Sequence, residues 1–392
     1  MERKSPYFHT RPMAGAALGA AMAAILGMLV PEWLLLAFCA LLIPITVFLF
    51  RRRSAFFLLP LVLFLVLVRI VLLPTELPEI RFLTNLRDGL KANADALFSD
   101  RAAVAKGILL GDRSAMDAEE TAQFAESGLL HLFAVSGLHV TLLVGAFDRL
   151  VRSDKRWLSL IATALFCLFF CAVTDFSASV LRAVFLLLGL KLARLRERQI
   201  DRPSALCFAM AMTLLCDPKS IASVGFQLSF AAAGGMTLLA KPLRKPFKKR
   251  FPKSRIITAL TSATAAVVGL LPVQAYYFGS LAWVSIPLSV LLIPTMPVIL
   301  LFGFTAVLLY GPLPHVATVL SYPAYGAMRF LTLVTEQLDV PLLRLPQPHP
   351  MVIALYFVAL LFCSRLFLPN AKRPPWLGLA LLTVSVVLWF VW

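Results

Sequence analysis

Ser136 and His139, with His131 close upstream, are the side chains of this sequence best suited to covalent chemistry. Spaced i, i+3, Ser136 and His139 share one face of a helix, and a hydroxyl beside an imidazole is the minimal pairing of nucleophile and base. The pairing lacks its third member, since no carboxylate in the same run orients the imidazole, and Asp112 or Asp175 would have to approach from elsewhere. A membrane metalloprotease would need a His-Glu-x-x-His helix, which is not written here. Nor can His9, His131, His139, His315 and His349, scattered as they are, form a His-x-His-x-Asp-His zinc cluster. The cysteines, Cys39, Cys167, Cys171, Cys207, Cys216 and Cys363, contain no Cys-x-x-Cys pair and read as small buried apolar residues. The sequence therefore assigns no catalytic residue, no metal and no cofactor.

The elements that hold these polar groups are apolar to an unusual degree. Hydrophobic residues make up 60% of 392 and the mean hydropathy is +0.86, more than a water-soluble surface carries. Apolar runs fall at about 13–30, 33–50, 55–73, 129–147, 157–174, 176–193, 203–216, 221–240, 256–279, 281–311, 351–368 and 376–392, mostly near the 20 or so residues that cross a hydrocarbon core. The expectation is an all-α polytopic membrane protein with about 10–12 transmembrane or re-entrant helices and one or two amphipathic interfacial helices. It divides into three N-terminal transmembrane helices (1–73), an extracytoplasmic amphipathic segment (74–128), a core (129–311), and an amphipathic segment with C-terminal transmembrane helices (312–392). The first run follows a short basic stretch but leads straight into a second apolar run, so it reads as a retained span and not a cleaved leader. Leu86, Leu90, Ala94 and Leu97 recur at helical spacing and predict one amphipathic helix in 74–128; a second is expected at 315–338, interrupted by Pro323. Pro287, Pro294 and Pro297 predict a broken or re-entrant helix at 281–311.

Charge sets the orientation. Segments 1–11, 51–53, 148–156, 191–202 and 241–255 together carry +18, and if each run up to 279 crosses once they all fall on one side, which the enrichment of Lys and Arg in cytoplasmic loops makes the cytoplasm. The formal charge of +17 is thus explained by topology. The loop with Lys241, Arg244, Lys245, Lys248, Lys249 and Arg250 exceeds what orientation needs, leaving open a docking role for nucleic acid, anionic lipid or a protein. Outside, 74–128 has ten acidic and six basic residues and is no evident funnel for a polyanion.

Five polar stretches interrupt this apolar background: LLGDRSAM (109–116), HLFAVSGLHV (131–140), SASVLRA (177–183), CDPKS through GFQLSF (216–230) and LPVQAYYFGS (271–280). Polar and ionisable groups in lipid face an interior or a water-filled path by default. Counting along each run places Ser136, Arg182, Gln227 and Gln274 roughly 9–12 Å below the outer surface, with His139 and Ser229 slightly deeper. Two readings remain open, a polar layer lining a path, or interhelical hydrogen bonds with Gly137, Gly234 and Gly235 permitting close approach. Asp112 and Arg113 read either as a cap for the helix starting near Asp117 or as a gate at the mouth.

Taken in order, these stretches resemble the ComEC family of bacterial competence channels. Gly-Asp-Arg at 111–113, the Ser-Gly-Leu-His core at 136–139, Ser179 with Arg182-Ala183, Asp217-Pro218, the run Gly225 to Phe230, and Tyr277-Phe278-Gly279 carry the likeness over about 105–311. The resemblance implies a cytoplasmic-membrane channel that passes single-stranded DNA inward during transformation while the other strand is degraded. Fuller family members carry an outer oligonucleotide-binding-type domain and a metallo-β-lactamase-like nuclease; the sequence shows neither, so strand degradation is expected from a separate nuclease. No nucleotide-binding loop is present, so the motor is expected to be a cytoplasmic DNA translocase, and a homodimer is left open. The chain stops within an apolar run, which leaves a truncated gene product among the readings. A secondary transporter of a small solute remains the main rival, because carriers also use broken helices and midplane polar groups; an intramembrane hydrolase ranks third.

Overall fold

The computed structural model describes residues 12–51, 58–72, 81–127, 129, 132–133, 135, 137–151, 156–197, 202–247, 250–252, 254–281, 284–337, 343–363 and 376–391. Each of the twelve apolar runs contains helix, and strand is confined to the two-residue segments Ser280–Leu281 and Leu343–Arg344 among the described residues. Three helical paths are long and apolar enough to cross a membrane, Arg156–Val173, Arg255–Phe278 and Ser285–Leu309; Met13–Leu29, Leu58–Leu72, Arg202–Cys216, Pro350–Cys363 and Ala380–Phe390 are shorter apolar helices.

The chain forms two compact units, neither continuous in sequence. The first comprises Met1–Glu76, Gln199–Leu281 and Arg344–Trp392. In it α1 (Pro12–Leu29) packs on α3 (Leu58–Leu72) and α10 (Arg202–Cys216), while α2 (Glu32–Arg51) packs on α3. Small residues explain how closely α1 approaches: Ala16, Ala20, Ala23 and Ala24 are buried, and a Cβ on Gly19 would meet the Leu59 carbonyl oxygen and lie 3.1 Å from Leu63 N. The same device recurs between α11 (Val224–Arg244) and α12 (Arg255–Phe278), where a Cβ on Gly235 would fall 2.6 Å from Gly269 Cα. Gly234, its neighbour, has open space around it, so of that glycine pair only Gly235 serves the crossing. Packing of this kind is what associates helices in lipid, where apolar burial offers no drive. Tyr356 of α17 (Pro350–Cys363) donates to the Val268 carbonyl at 2.8 Å, and Trp389 of α18 (Trp376–Val391) donates to the Pro346 carbonyl at 2.7 Å.

The second unit comprises Leu77–Arg198 and Ala282–Leu343. Its centre is α5 (Ala102–Leu110), on which Val104, Ala105, Ile108 and Leu109 are fully buried. Segment 74–128 holds three helices: the expected amphipathic α4 (Arg81–Phe98), α6 (Ala118–Glu126) where a helix was expected to start near Asp117, and between them α5, which was not expected. The expected stripe on α4 is present, with Leu90 and Ala94 buried and Leu86 and Leu97 packed against the core. Nine residues with a lysine among them gave α5 too little periodicity to be read; Lys106 reaches out to pair with Asp95 at 2.7 Å. The 281–311 run keeps a continuous helical path in which the α-helix itself is interrupted. From Ser285 to Leu309 the helical path is unbroken, passing through α13 (Ser285–Leu292), a 3₁₀ turn (Ile293–Thr295), α14 (Met296–Val298), a π turn (Ile299–Gly303) and α15 (Phe304–Leu309). Pro294 and Pro297 each lack an N–H donor, and the ladder adjusts locally instead of breaking. Likewise α16 (Pro314–Glu336) continues through Pro323 and buries Ala324, Met328 and Leu331 on one face while Val319, Tyr322 and Phe330 stay exposed.

Candidate functional site

The polar motifs assemble into two clusters, one in each unit. In the first unit Asp217 caps the 3₁₀ turn Pro218–Ala222, its carboxylate accepting from Lys219 N at 3.1 Å, with Pro218 at a position whose missing N–H costs nothing. Ser223 then caps α11 by accepting from Phe226 N at 3.2 Å. These two caps move the start of α11 to Val224, so Gln227 lies in its first turn, closer to the helix end than the sequence count placed it. The Gln227 amide donates to the Ile221 carbonyl at 3.1 Å, and its oxygen accepts from the Tyr277 hydroxyl of α12 at 3.1 Å. Gln274 donates to the Ser280 carbonyl at 3.3 Å, across the left-handed Gly279 (φ 61°) that closes α12. Gly279 is needed there because its φ is costly for a side-chain-bearing residue. Ser229 is half-buried two residues, about half a turn, further along α11. The Gly-Phe-Gln-Leu-Ser-Phe and Tyr-Phe-Gly motifs, fifty residues apart, are thus hydrogen-bonded partners at one end of a helix pair.

In the second unit α5 ends on Gly111 in the left-handed conformation (φ 78°), where a Cβ would come 2.8 Å from Val135 Cγ2. His139, buried in the first turn of α7 (Gly137–Leu150), places Nε2 3.0 Å from the Ile108 carbonyl oxygen. A carbonyl only accepts, so Nε2 carries the proton. Arg182 stands in the second turn of α9 (Ala178–Leu195), and a Cβ on Gly137 would lie 3.6 Å from its Nη2 and 3.7 Å from Ala183 Cβ. Gly137 thus lies in ordinary packing contact with the Arg182 guanidinium and with α9. Three motif stretches meet here: the Gly-Asp-Arg turn, the start of α7 and the start of α9. Ser136 and His131 lie outside the described residues, as do Lys248 and Lys249.

Asp112 does not cap α6. Asp117 does so, accepting from Glu120 N at 2.6 Å, while Asp112 accepts from Ser114 N at 3.0 Å and from Ser114 Oγ at 2.6 Å and pairs with Lys91 of α4 at 2.7 Å. Partial burial pushes the Asp112 carboxyl up, but the hydrogen bonds from Lys91 and Ser114 and the ammonium charge outweigh it and hold the pKa at about 2. Arg113 beside it is exposed. Asp100 accepts from the Tyr325 hydroxyl at 3.2 Å, so several acidic groups of this segment are already engaged.

Sequence reasoning missed three polar features. Tyr277, already singled out in the Tyr-Phe-Gly motif, is the partner that fixes Gln227, a pairing that nothing local in the sequence marks. Arg87 of α4 pairs with Asp175 at 2.7 Å and donates from Nε to the Ala172 carbonyl at 2.7 Å, holding the turn after α8 (Arg156–Val173), where Asp175 and Phe176 have positive φ. Lys191 of α9 meets Asp148 of α7 at 2.6 Å and also reaches the Thr163 hydroxyl of α8. Both charges were counted as loop residues; the helices extend further than the apolar runs and turn them toward each other. In the basic loop, Lys241, Lys245 and Arg250 are exposed, Arg244 donates to the Pro252 carbonyl at 3.1 Å, and Arg250 lies 5.9 Å from the ring of the exposed Phe251.

Stacked apolar helices with buried polar groups gathered in their terminal turns define a polytopic α-helical membrane protein. It belongs to the Competence protein family, whose model matches residues 108–369 and so spans both motif clusters. The chain is similar to "ComE operon protein 3" of Bacillus subtilis (strain 168), 27% identical over 270 residues, covering 67% of this chain and 34% of that protein. It is also similar to "Competence protein ComA" of Neisseria gonorrhoeae, 28% identical over 219 residues, covering 53% of this chain and 30% of that one. A third relative is "Recombination protein 2" of Haemophilus influenzae (strain ATCC 51907 / DSM 11121 / KW20 / Rd), 26% identical over 212 residues, 48% of this chain and 27% of the relative. The chain spans about a third of the length of these curated relatives. No solved structure matches it.

Proposed function

We propose that this protein serves DNA uptake during natural competence, as a non-enzymatic membrane conduit that passes single-stranded DNA through the cytoplasmic membrane. The observation that carries the reading is the family match over 108–369, which takes in every one of the ordered polar motifs. Its N-terminus and basic loops face the cytoplasm on this reading, following the distribution of Lys and Arg. Then the starts of α7, α9 and α11 and the end of α12 all lie toward the outside, and His139, Arg182, Gln227, Ser229 and Gln274 sit within a few turns of that surface. A phosphodiester chain needs water, donors or cations to cross an apolar wall. Arg182 supplies one cation and the amides and hydroxyl supply donors, enough for passage without tight retention. The exposed cations Lys241, Lys245 and Arg250, with Phe251 beside them, suit the docking of a cytoplasmic translocase; a separate nuclease degrades the other strand, and the unit works alone or as a homodimer.

The test is a deletion strain in which surface DNA binding and transformation are scored separately, complemented with wild-type chain or with Arg182→Gln. Loss of transformation with binding intact, restored by wild type and not by Arg182→Gln at equal membrane abundance, supports the conduit. Normal transformation in the deletion strain ends the proposal for this protein.

A further inference from the structure

Residues 241–255, the connection between α11 and α12, carry eight cations and no anion, and no Asp or Glu occurs anywhere from Pro218 to Thr335. This helix pair therefore supplies no counter-charge of its own. The connection has a defined fold: Phe247 N donates to the Arg244 carbonyl at 3.1 Å, Phe251 N to the Phe247 carbonyl at 2.9 Å, and the Arg244 guanidinium to the Pro252 carbonyl at 3.1 Å. Arg244 is thereby engaged in holding the loop. Lys245, Arg250 and Arg255 are exposed and make no ion pair among the described residues. Among these cations stand two aromatic rings, Phe247 at 47% and Phe251 at 45% exposure, with Arg250 5.9 Å from the centroid of the second. Their i, i+4 spacing on a hydrogen-bonded turn sends both rings out on one face.

Register fixes how deep this tip lies. Gln227 bonds Tyr277 and Gly235 meets Gly269, so α11 and α12 run antiparallel with matched levels. At 1.5 Å per residue Lys245 stands roughly 27 Å, and Arg255 roughly 33 Å, from the Gln227–Tyr277 bond. Gln227 is itself a turn inside the start of α11, so a hydrocarbon core of about 30 Å ends near these cations. Phe247 and Phe251 belong to the connection and not to the spanning turns of either helix.

We propose that the tip of the α11–α12 hairpin binds single-stranded nucleic acid, with phosphates on Lys245, Arg250 and Arg255 and neighbouring bases stacked on Phe247 and Phe251. Cations interleaved with accessible aromatic rings are what a strand with unpaired bases recognises without regard to sequence. An anionic leaflet offers the same charge but no rings to stack, and the aromatics that favour the bilayer boundary are Trp and Tyr, not Phe. The inference rests on the conduit reading, because a strand reaches this end of the helix pair only if it is passed inward. A translocase docking beside the same cations then receives the strand where it emerges.

The full chain, purified in mild detergent, is titrated by fluorescence anisotropy with an oligothymidylate of about 20 nucleotides and with an abasic oligonucleotide of equal length. Wild type is expected to prefer the base-bearing strand by about tenfold or more, the usual effect of base–aromatic stacking. Phe247→Leu with Phe251→Leu, which keeps every charge, abolishes that preference. Lys245→Gln, Arg250→Gln and Arg255→Gln together lower the slope of log affinity against log salt by about 2, since each phosphate contact on a single strand contributes about 0.7. Lys219→Gln, Arg329→Gln and Arg344→Gln, the same loss of charge at exposed sites elsewhere, leave the slope unchanged. In phosphatidylglycerol nanodiscs, p-benzoylphenylalanine placed at position 251 crosslinks the oligonucleotide. Equal affinity of wild type for the two oligonucleotides, an unchanged preference in the double Phe variant, or crosslinks to lipid in place of the oligonucleotide overturns the proposal. These readouts use the purified chain, so they separate the hairpin from the conduit: transformation lost on deletion but no base preference sinks the hairpin alone, and normal transformation with the preference intact sinks the conduit alone.

Discussion

Adjacent glycines on α11 allow the helix crossing in the first unit to be tested with its own internal control. Gly→Ala within a helix gains about 1 kcal/mol from backbone propensity, and Gly234 has nothing within reach of an added Cβ. Gly234→Ala should therefore leave the protein unchanged or slightly more stable. At Gly235 the same methyl would meet the Ala265 carbonyl oxygen and stand 2.6 Å from Gly269 Cα, whereas carbon atoms rest at about 3.5–4.0 Å. α11 and α12 must then separate by about 1 Å, and overpacking of that kind costs roughly 1–3 kcal/mol. The propensity gain is common to both variants and cancels, so they should differ by about 1–3 kcal/mol. Separation also strains the Tyr277–Gln227 bond, which spans the same two helices at 3.1 Å. Thermal unfolding of the full chain in detergent, followed by circular dichroism, gives the ranking. Because Gly269 faces Gly235, the Gly235→Ala/Gly269→Ala double variant should cost clearly less than the sum of the singles, the helices having already parted. Equal stability of Gly234→Ala and Gly235→Ala would refute the close crossing.

Asp112 has its pKa held at about 2 in the folded chain, below the usual carboxylate value near 3.9. A depressed folded pKa contributes stability above the unfolded pKa that is lost as pH falls through the folded one, so the contribution should disappear between about pH 4 and pH 2. Asp112→Asn should flatten the acid limb of a stability titration over that window, and an unchanged limb would exclude the Lys91 pairing. Asp148→Asn leaves the Lys191 ammonium, whose side chain is only 20% exposed, without its counter-charge; a loss of about 2 kcal/mol is expected, below the 3–5 of a fully buried pair. Asp148→Leu with Lys191→Met should recover most of it, and chemical denaturation in detergent separates the cases. His139→Ala removes the donor to the buried Ile108 carbonyl and should cost about 1–3 kcal/mol, with faster hydrogen exchange confined to α5 and the start of α7.

What could be read from sequence depended on whether a feature is set by composition or by contact. Spanning length is a matter of composition, so the apolar runs translate into helices with ends off by a few residues. Those few residues decided the fate of Asp148, one residue past its apolar stretch, and Lys191, at the end of its own, both of which were counted with the charged loop segments. Nothing in either neighbourhood marks them as a pair; only the three-helix packing of α7, α8 and α9 does. α5 failed for a different reason, since most of its nine residues are buried and the single charged Lys106 is too little of a polar face to give a period. The prolines of 281–311 signalled a break because a missing donor is a local cost, yet in place the π turn absorbs it.

The motifs present the most instructive case. In the sequence Gln227 and His139 were open to two readings, groups lining a path or interhelical hydrogen bonds. In the structure each is engaged with a residue in or beside another motif, Gln227 with Tyr277 and His139 with the carbonyl two residues before the Gly-Asp-Arg stretch ends its helix. Spacing of about fifty residues between Gln227 and Tyr277 is what one helix down and one helix back requires, so the order of the motifs is a record of which helix ends touch. This restricts what the groups can offer a passing strand. Gln227 commits its oxygen to Tyr277 and one amide hydrogen to Ile221, which leaves its second amide hydrogen as the natural donor toward any ligand. Tyr277→Phe should then free the Gln227 oxygen and loosen the amide without removing it. A conduit role predicts a larger effect on transformation than on stability from that single hydroxyl, whereas purely structural packing predicts that the two fall together.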